Sequence, residues 1–195
     1  LRVGAAIGAT GDYLERATAL IEDGADVIVI DIAHGHSVVM EEAVKNFRRK
    51  FSHELVCGNV ATYEGAKFLH DLGVDGIKVG LGSGSGCLTR PKTGVGVPQV
   101  HAVRAAWQAV QNSIPIISDG GVRKEGDISK ALAVGASSVM LGSFLAGTEE
   151  TPGEFLPNPV TGARSKSYRG MTSPQAKLES AGSMKAVRNV EGKEE

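Results

Sequence analysis

Short runs rich in valine and isoleucine alternate with helical patterns along most of this chain. The six apolar runs span residues 2–7, 26–32, 55–60, 76–81, 114–119 and 137–142. Between them, apolar residues recur at spacings of three and four, which predicts helices. Strands that are apolar on both faces, each followed by a helix, indicate a parallel sheet with right-handed crossovers.

The residues at the ends of these runs decide between two parallel architectures, a doubly wound open sheet and a (β/α)8 barrel. A doubly wound sheet concentrates its site at one switch point, whereas a barrel draws functional groups from many strand ends. Polar residues or glycines follow nearly every run, at Gly8, Asp31, Asn59, Gly82, Asp119 and Gly142. This distribution favours the barrel.

The number of units predicts that the barrel is incomplete. Six βα units are visible, whereas a barrel needs eight and typically about 250 residues. We therefore expect residues 1–195 to be one partial catalytic barrel domain that lacks two N-terminal units and part of the C-terminal end. Residues 144–195 are polar and rich in glycine and proline, which predicts a long active-site flap, with a disordered tail as the alternative.

Composition excludes several classes of protein. The formal net charge of −1, with 42% hydrophobic and 22% charged residues, argues against disorder and against a nucleic-acid partner. No apolar run is long enough for a membrane span, so the cytoplasm is the expected location. Two cysteines cannot form a disulfide framework, and neither has neighbours with metal-ligand spacing.

The densest candidate site is the glycine-rich segment 80–90, which leaves a strand and contains Cys87. Such backbone can turn amides or carbonyls towards a ligand, and a cation such as Arg90 favours the nucleophilic thiolate. The alternative is a surface loop with an incidental buried thiol. Cys57 lies inside an apolar run, where packing in the core is the better interpretation.

Two further segments carry candidate chemistry. Residues 119–121 and 141–143 have the form of a phosphate cradle at barrel strand ends, with Asp119 as an acceptor for ribose hydroxyls, or are simply turns. Asp31, His34 and His36 follow one strand and are consistent with an acid/base pair, a ribose-binding carboxylate or, least favoured, a metal site. Ser37 is a candidate helix cap.

Over essentially its whole length the chain resembles the IMP dehydrogenase/GMP reductase family. The matching segments are 4–8, 31–37, 58–60, 78–90, 94–99, 118–121, 140–143 and 168–171. The resemblance implies a (β/α)8 barrel, usually in a homotetramer, that binds a purine nucleoside monophosphate (GMP, IMP or XMP). It makes Cys87 the nucleophile at purine C2, where NAD or NADP exchanges hydride, and gives Thr89 a part in proton transfer.

The resemblance also implies the binding positions. Phosphate would lie on Ser85 and near Gly121, Gly142 and Ser143, with ribose on Asp119, and Tyr168, Gly170 and the flap residue Arg188 would also bind substrate. The cofactor would face Asp31, Asn59, Gly80 and Lys193. In the dehydrogenases a potassium ion binds carbonyls equivalent to those of Gly82, Gly84 and Cys87. Gly86 departs from the family, which commonly has a larger aliphatic residue there.

The direction of the reaction depends on the flap. Dehydrogenases activate water with an Arg-Tyr pair, and this chain contains no such pair. Arg188 followed by Glu191-Gly192-Lys193 resembles the reductase flap, in which the glutamate pairs with the loop threonine to manage leaving ammonia. Residues 97–99, 146–150 and 168–171 instead resemble the dehydrogenases. The balance narrowly favours a GMP reductase over an IMP dehydrogenase, with a non-catalytic nucleotide-binding homologue as a further alternative.

Overall fold

Six parallel strands form one curled sheet in the computed structural model, which describes residues 1–157, 160–170 and 173–181. The strands are β1 (Gly4–Ile7), β2 (Val27–Asp31), β3 (Leu55–Val60), β4 (Gly76–Val79), β5 (Ile116–Asp119) and β6 (Ser138–Met140). Their order across the sheet equals their order in the chain. A doubly wound sheet would reverse its order at a switch point, so the predicted partial (β/α)8 barrel is confirmed.

Each predicted apolar run contains one of these strands, although most strands are shorter than the runs. The helices are α1 (Tyr13–Glu22), α2 (Val38–Lys50), α3 (Tyr63–Asp71), α4 (Thr89–Thr93), α5 (Gln99–Val110), α6 (Glu125–Ala133) and α7 (Pro174–Ala181). The Ser37 hydroxyl accepts a hydrogen bond from the Met40 amide at 3.3 Å, which confirms its role as the cap of α2. Thr62 caps α3 in the same way.

Glycines reverse the chain between helices and strands. Gly24, Gly73 and Gly135 have φ values of 91°, 77° and 117°, in the left-handed region that other residues seldom adopt. Each follows a helix and precedes the next strand by a few residues, as the repeated Gly-containing phrases of the sequence predict. These turns lead the chain from a helix into β2, β4 and β6.

The core lies between the central strands and the helices. All four residues of β4 are buried, and β3 is buried except at Asn59, since helices cover one face and neighbouring strands and loops the other. The edge strands β1 and β6 are partly exposed. The fully buried side chains include Ile28, Ile30, Phe47, Leu55, Leu69, Ile77 and Val79.

The segment after β6 does not continue directly into a regular helix within the described residues. It turns through residues 142–151 and then forms a two-stranded hairpin of β7 (Leu156–Pro157) and β8 (Arg164–Ser165). The Lys166 ammonium donates to the Thr148 carbonyl at 2.7 Å, so the hairpin is held against that turn. Among the described residues, no helix is long and apolar enough to cross a membrane.

Candidate active site

Two adjoining clefts lie at the carboxyl ends of the strands. The first, here called the cysteine cleft, is open to solvent. It is lined by Asp31, Ile32, Ala33, Asn59, Lys78, Gly80, Leu81, Gly82, Ser83, Gly84, Cys87, Thr89, Asp119 and Gly120. Residues from the ends of four strands therefore meet in one place, because parallel strands end at the same face.

The second cleft, here called the glycine cleft, adjoins the first and is the smaller of the two. It is lined by Ser83, Gly84, Ser85, Asp119, Gly120, Gly121, Val122, Arg123, Met140, Gly142, Ser143 and Tyr168. The expected phosphate-binding positions thus lie together here. Of the expected catalytic and cofactor-facing positions, those that the structure describes lie in the cysteine cleft: Cys87, Thr89, Asp31, Asn59 and Gly80. Asp119 borders both clefts.

Cys87 is half-buried in the loop between β4 and α4, beside a second side chain of the predicted catalytic set. Its thiol donates to the Thr89 hydroxyl oxygen over a sulfur-to-oxygen distance of 3.2 Å. The Cys87 amide donates to the Gly84 carbonyl at 3.1 Å, which closes a tight turn at Cys87. This geometry places a thiol and a hydroxyl at the edge of the cleft.

Arg90 lies in α4, directly after this loop, and packs over glycine backbone. A side chain at Gly82 or Gly96 would overlap the methylene groups of Arg90, so both positions leave room for its stem. The guanidinium group shares a solvent-open hollow with Cys87. The expectation that Arg90 favours the thiolate stays a prediction.

Cys57 differs from Cys87 as expected from the sequence. It is fully buried in β3, between Ile30 of β2 and Ile77 of β4. Burial raises the pKa of the Cys57 thiol to about 12, because a thiolate there would lose its hydration. Packing in the core is therefore confirmed for Cys57.

A buried lysine occupies the centre of the site, and the sequence analysis did not select it. The Lys78 side chain is 3% exposed, and its ammonium pairs closely with Oδ2 of Asp119 and with Oδ1 of Asp31 at 3.2 Å. A lysine within the otherwise apolar run Gly76-Ile77-Lys78-Val79 was the available signal. Buried lysines need a charged partner, so its position in a strand pointed to nearby carboxylates.

Asn59 connects the same cluster to β3. Its amide nitrogen donates to the Gly80 carbonyl at 2.8 Å and to Asp119 Oδ2 at 3.0 Å. The side-chain oxygen of Asn59 is buried and has no hydrogen-bond partner among the described residues. A buried acceptor without a partner is costly, and it lines a cleft that a donor group of a ligand can enter.

Gln99, at the start of α5, also joins the site without having been selected. Its amide nitrogen donates to the Val79 carbonyl at 2.8 Å and to the Ser118 hydroxyl at 3.0 Å. Its oxygen accepts from the Ser83 hydroxyl at 2.8 Å. Gln99 thereby ties the glycine-rich loop to the ends of β4 and β5, a long-range role for which the local sequence carries no signal.

The segment 168–170 approaches the glycine-rich loop. An added Cβ at Gly86, which is itself buried, would lie 3.5 Å from Gly170 and from the Tyr168 ring, and one at Gly142 would lie 3.0 Å from the Tyr168 hydroxyl. Segment 168–170 therefore packs closely against the glycine-rich loop at Gly86. The expected substrate residues Tyr168 and Gly170 lie next to the glycine-rich loop and the glycine cleft.

The histidine-containing segment has ordinary packing partners. His36 packs against Phe68 with ring centroids 4.8 Å apart, and Asp31 is paired with Lys78. Within residues 1–157, 160–170 and 173–181, no group of three His, Cys, Asp or Glu side chains is placed to hold a metal ion. Three expected flap residues, Arg188, Glu191 and Lys193, lie outside the described residues.

The fold and these clefts define a partial (β/α)8 barrel with a ligand-binding face at the carboxyl ends of its strands. A family model described as the IMP dehydrogenase / GMP reductase domain matches residues 1–194. The chain belongs to this family. The resemblance inferred from its motifs is thereby confirmed.

Individual relatives represent both branches of the family. The chain is 54% identical over 178 residues to inosine-5'-monophosphate dehydrogenase of Nitrosopumilus maritimus, covering 90% of this chain and 37% of that protein. It is 52% identical over 185 residues to the enzyme of the same name from Cryptosporidium parvum, covering 93% and 45%. The chain spans less than half the length of these curated relatives.

A solved structure gives the second branch. The fold superimposes with a TM-score of 0.92 on a GMP reductase variant from Trypanosoma brucei in complex with guanosine 5'-monophosphate, at 45% sequence identity. The alignment covers 100% of this chain and 41% of that one. Similarity alone therefore places the chain in the family without choosing a branch.

Proposed function

We propose that this chain is part of a purine nucleotide oxidoreductase, and specifically of a GMP reductase that converts GMP and NADPH to IMP, ammonia and NADP. The observation that carries the proposal is the assembly of Cys87 and Thr89 beside Asp119, with the glycine cleft adjoining them. A nucleotide bound across both clefts has its phosphate and its base on opposite sides of Asp119.

In this mechanism the Cys87 sulfur attacks purine C2 as the thiolate. The carbon–nitrogen bond to the exocyclic amino group breaks, and the amine leaves as ammonia after it gains protons. Asp31, Asn59 and Gly80 line the cleft that would hold NADPH, which would supply the hydride at C2 so that the Cys87 sulfur is released and IMP is formed. Thr89, in hydrogen-bond contact with Cys87, is placed to accept and return the proton in these steps.

The nucleotide is held by groups on both clefts. Asp119 offers a carboxylate oxygen to ribose hydroxyls, and Ser85, Gly121, Gly142 and Ser143 line the cleft that would take the phosphate. Exposed backbone amides in such loops bind phosphate well, because their dipoles converge on the anion. Tyr168 closes one side of this cleft.

The residues of the cysteine cleft fit a nicotinamide cofactor. The buried Asn59 oxygen without a partner is an acceptor for an amide or hydroxyl donor, and Asp31 lies nearby at the cleft wall. Gly80 also lines this cleft, and a side chain there would overlap the Asp119 carbonyl oxygen. A dehydrogenase-type potassium ion would be held by the carbonyls of Gly82, Gly84 and Cys87, and the Gly84 carbonyl, which accepts the Cys87 amide, has a second lone pair for such an ion.

The choice of the reductase rests on the flap sequence. Arg188 with Glu191-Gly192-Lys193 resembles the reductase flap, and the water-activating Arg-Tyr pair is absent from the sequence. The second candidate is an IMP dehydrogenase that converts IMP, NAD and water to XMP and NADH. Identities of 51 to 54% to curated dehydrogenases favour this candidate.

The deciding experiment uses the full-length protein. We would incubate it with GMP and NADPH, and separately with IMP and NAD, and follow the absorbance of the reduced cofactor. Loss of NADPH absorbance only with GMP supports the reductase, whereas turnover only with IMP establishes the dehydrogenase. GMP binding without turnover in either mixture would support the non-catalytic homologue.

The proposed assembly is a homotetramer, as the family resemblance implies. Analytical ultracentrifugation of the full-length protein measures its mass directly. A monomer would contradict this part of the proposal and leave the reaction unaffected.

A further inference from the structure

Lys78 is a buried cation in the floor of the cysteine cleft. It lies in β4 between Ile77 and Val79, both fully buried, and its own side chain is 3% exposed. Burying a lysine ammonium costs several kcal/mol unless charged partners compensate it. The chain nevertheless has this buried ammonium at the centre of its candidate site.

The compensation comes from two carboxylates on different strands. The ammonium pairs with Asp119, at the end of the adjacent β5, and with Asp31 at 3.2 Å, at the end of β2. β2 is separated from β4 by β3, so Lys78 bridges the strand ends across an intervening strand. One ammonium group therefore pairs with two carboxylates.

The hydrogen bonds leave one oxygen of each carboxylate for a ligand. Among the described residues, the side-chain bonds to Asp119 from Lys78 and Asn59 end on Oδ2, and the ion pair to Asp31 ends on Oδ1. Both carboxylates line the cysteine cleft. Lys78 thus fixes the rotation of each carboxylate through one oxygen while the second oxygen remains an acceptor.

We propose that Lys78 is a positioning residue shared by two binding subsites, orienting Asp119 towards the nucleotide ribose and Asp31 towards the cofactor. The inference rests on the proposed function for the identity of these ligands. Without the ammonium, two carboxylates that now lie beside one nitrogen repel each other and rotate apart. A single substitution then weakens the binding of both ligands.

The test compares two nucleotides that differ only in the ribose hydroxyls. Dissociation constants of GMP and of 2',3'-dideoxy-GMP are measured calorimetrically for the full-length protein and for Lys78→Met, which keeps the length of the side chain without its charge. The loss of a charged hydrogen-bond partner predicts GMP binding weakened on the order of tenfold. Dideoxy-GMP, which has no hydroxyl for Asp119, should bind both proteins equally.

The cofactor provides the second measurement. The dissociation constant of NADP should rise on the order of tenfold in Lys78→Met. Lys67→Met is the matched control, since Lys67 pairs with Asp71 on the exposed face of α3 and should leave all three constants unchanged. If Lys78→Met does not fold, Lys78→Gln serves as the second uncharged variant. In Lys78→Gln, too, GMP binding must weaken while dideoxy-GMP binding stays unchanged.

A combined variant separates positioning from general damage. Once Asp119→Asn has weakened GMP binding, adding Lys78→Met should change that constant little further, because the two side chains act as one unit. Equal weakening of GMP and dideoxy-GMP, or no change in either, overturns the inference. If the wild-type protein binds neither nucleotide, the proposed function itself fails and the inference falls with it.

Discussion

The two cysteines show how far the fold alone separates residues of the same type. Cys57 lies within β3, flanked by isoleucines of both neighbouring strands and fully buried. Cys87 lies in the loop after β4, half-buried, with its sulfur 3.2 Å from the Thr89 hydroxyl. Covering by packed strands makes a thiol inert, whereas a turn at a strand end presents it to a cleft.

The glycines next to these cysteines show the same contrast. Gly58 follows Cys57 in the packed sheet, and a Cβ there would lie 2.5 Å from the Lys78 carbonyl oxygen. Gly86 precedes Cys87 in the loop, and a Cβ there would meet only ordinary contacts at 3.5 Å. Glycine is thus required by space beside Cys57, whereas beside Cys87 the loop has room for a methyl group.

The largest expected effect comes from removing each thiol in turn. Cys87→Ala should lower turnover on the order of a thousandfold or more, because the covalent step is lost, while nucleotide binding stays measurable. Cys57→Ala is the matched control. It should keep turnover and lose about 1 kcal/mol of folding stability through the small cavity.

Steady-state rates, nucleotide titration and chemical denaturation of both variants measure these quantities. Full turnover by Cys87→Ala would remove that residue from its proposed role. Loss of turnover in a stably folded Cys57→Ala would show that the contrast between the two thiols is wrong.

Thr89→Val should give the next largest effect. The substitution keeps the shape of the side chain and removes the hydroxyl that accepts from the Cys87 thiol. Loss of assisted proton transfer predicts a fall in kcat of about a hundredfold, with little change in nucleotide binding. Thr93→Val, on the same short helix α4, is the control and should retain most activity; equal kcat values for the two variants would exclude a specific role for Thr89.

Alanine substitutions of Gly58 and Gly86, the glycines next to the two cysteines, should change folding stability in opposite directions. Gly58→Ala should destabilise the fold by about 2 kcal/mol, because the methyl group meets backbone that cannot move away. Gly86→Ala should stabilise it by about 0.5 kcal/mol, since the unfolded chain loses freedom and the methyl group fits. Thermal unfolding of the two variants tests this, and destabilisation by both would mean that the Cys87 loop is packed as tightly as β3.

The local regularities of the sequence were sufficient for the architecture. Six runs of β-branched residues became six strands, and Gly24, Gly73 and Gly135 took the left-handed conformation expected at helix ends. The face that carries the site also followed, because residues after parallel strands must meet at one edge. The strands, the helix ends and the face of the site depend on residues that are close together in the chain, so a single sequence is enough to predict them.

Contacts between distant segments were not predictable in the same way. Lys78 meets Asp119 from 41 positions away, and Gln99 meets Val79 and Ser83 from 20 and 16 positions away. No local pattern specifies which polar groups will be partners once strands are aligned. The lysine in an apolar strand indicated that a partner was needed, but the identity of Asp31 and Asp119 required the register of the sheet.

The last prediction concerns the alkaline stability of the buried thiol. Burial raises the pKa of Cys57 from 9.0 to about 12, so above pH 9 the unfolded chain releases this proton while the folded chain retains it. The unfolded state then binds fewer protons, and Cys57 makes stability fall as the pH rises from 9 to 12. Near pH 10 this loss amounts to about 1.4 kcal/mol.

Cys57→Ala removes this contribution, so its stability should equal that of the wild-type protein between about pH 9 and 10 and exceed it at higher pH. Denaturation of both proteins at several pH values measures the difference and cancels the titration of groups that they share. Cys87→Ala, studied alongside, reports on a thiol that is only half-buried. If the difference in unfolding free energy between wild type and Cys57→Ala stays constant with pH, the Cys57 thiolate is tolerated in the folded core. Burial would then not explain the difference between the two cysteines.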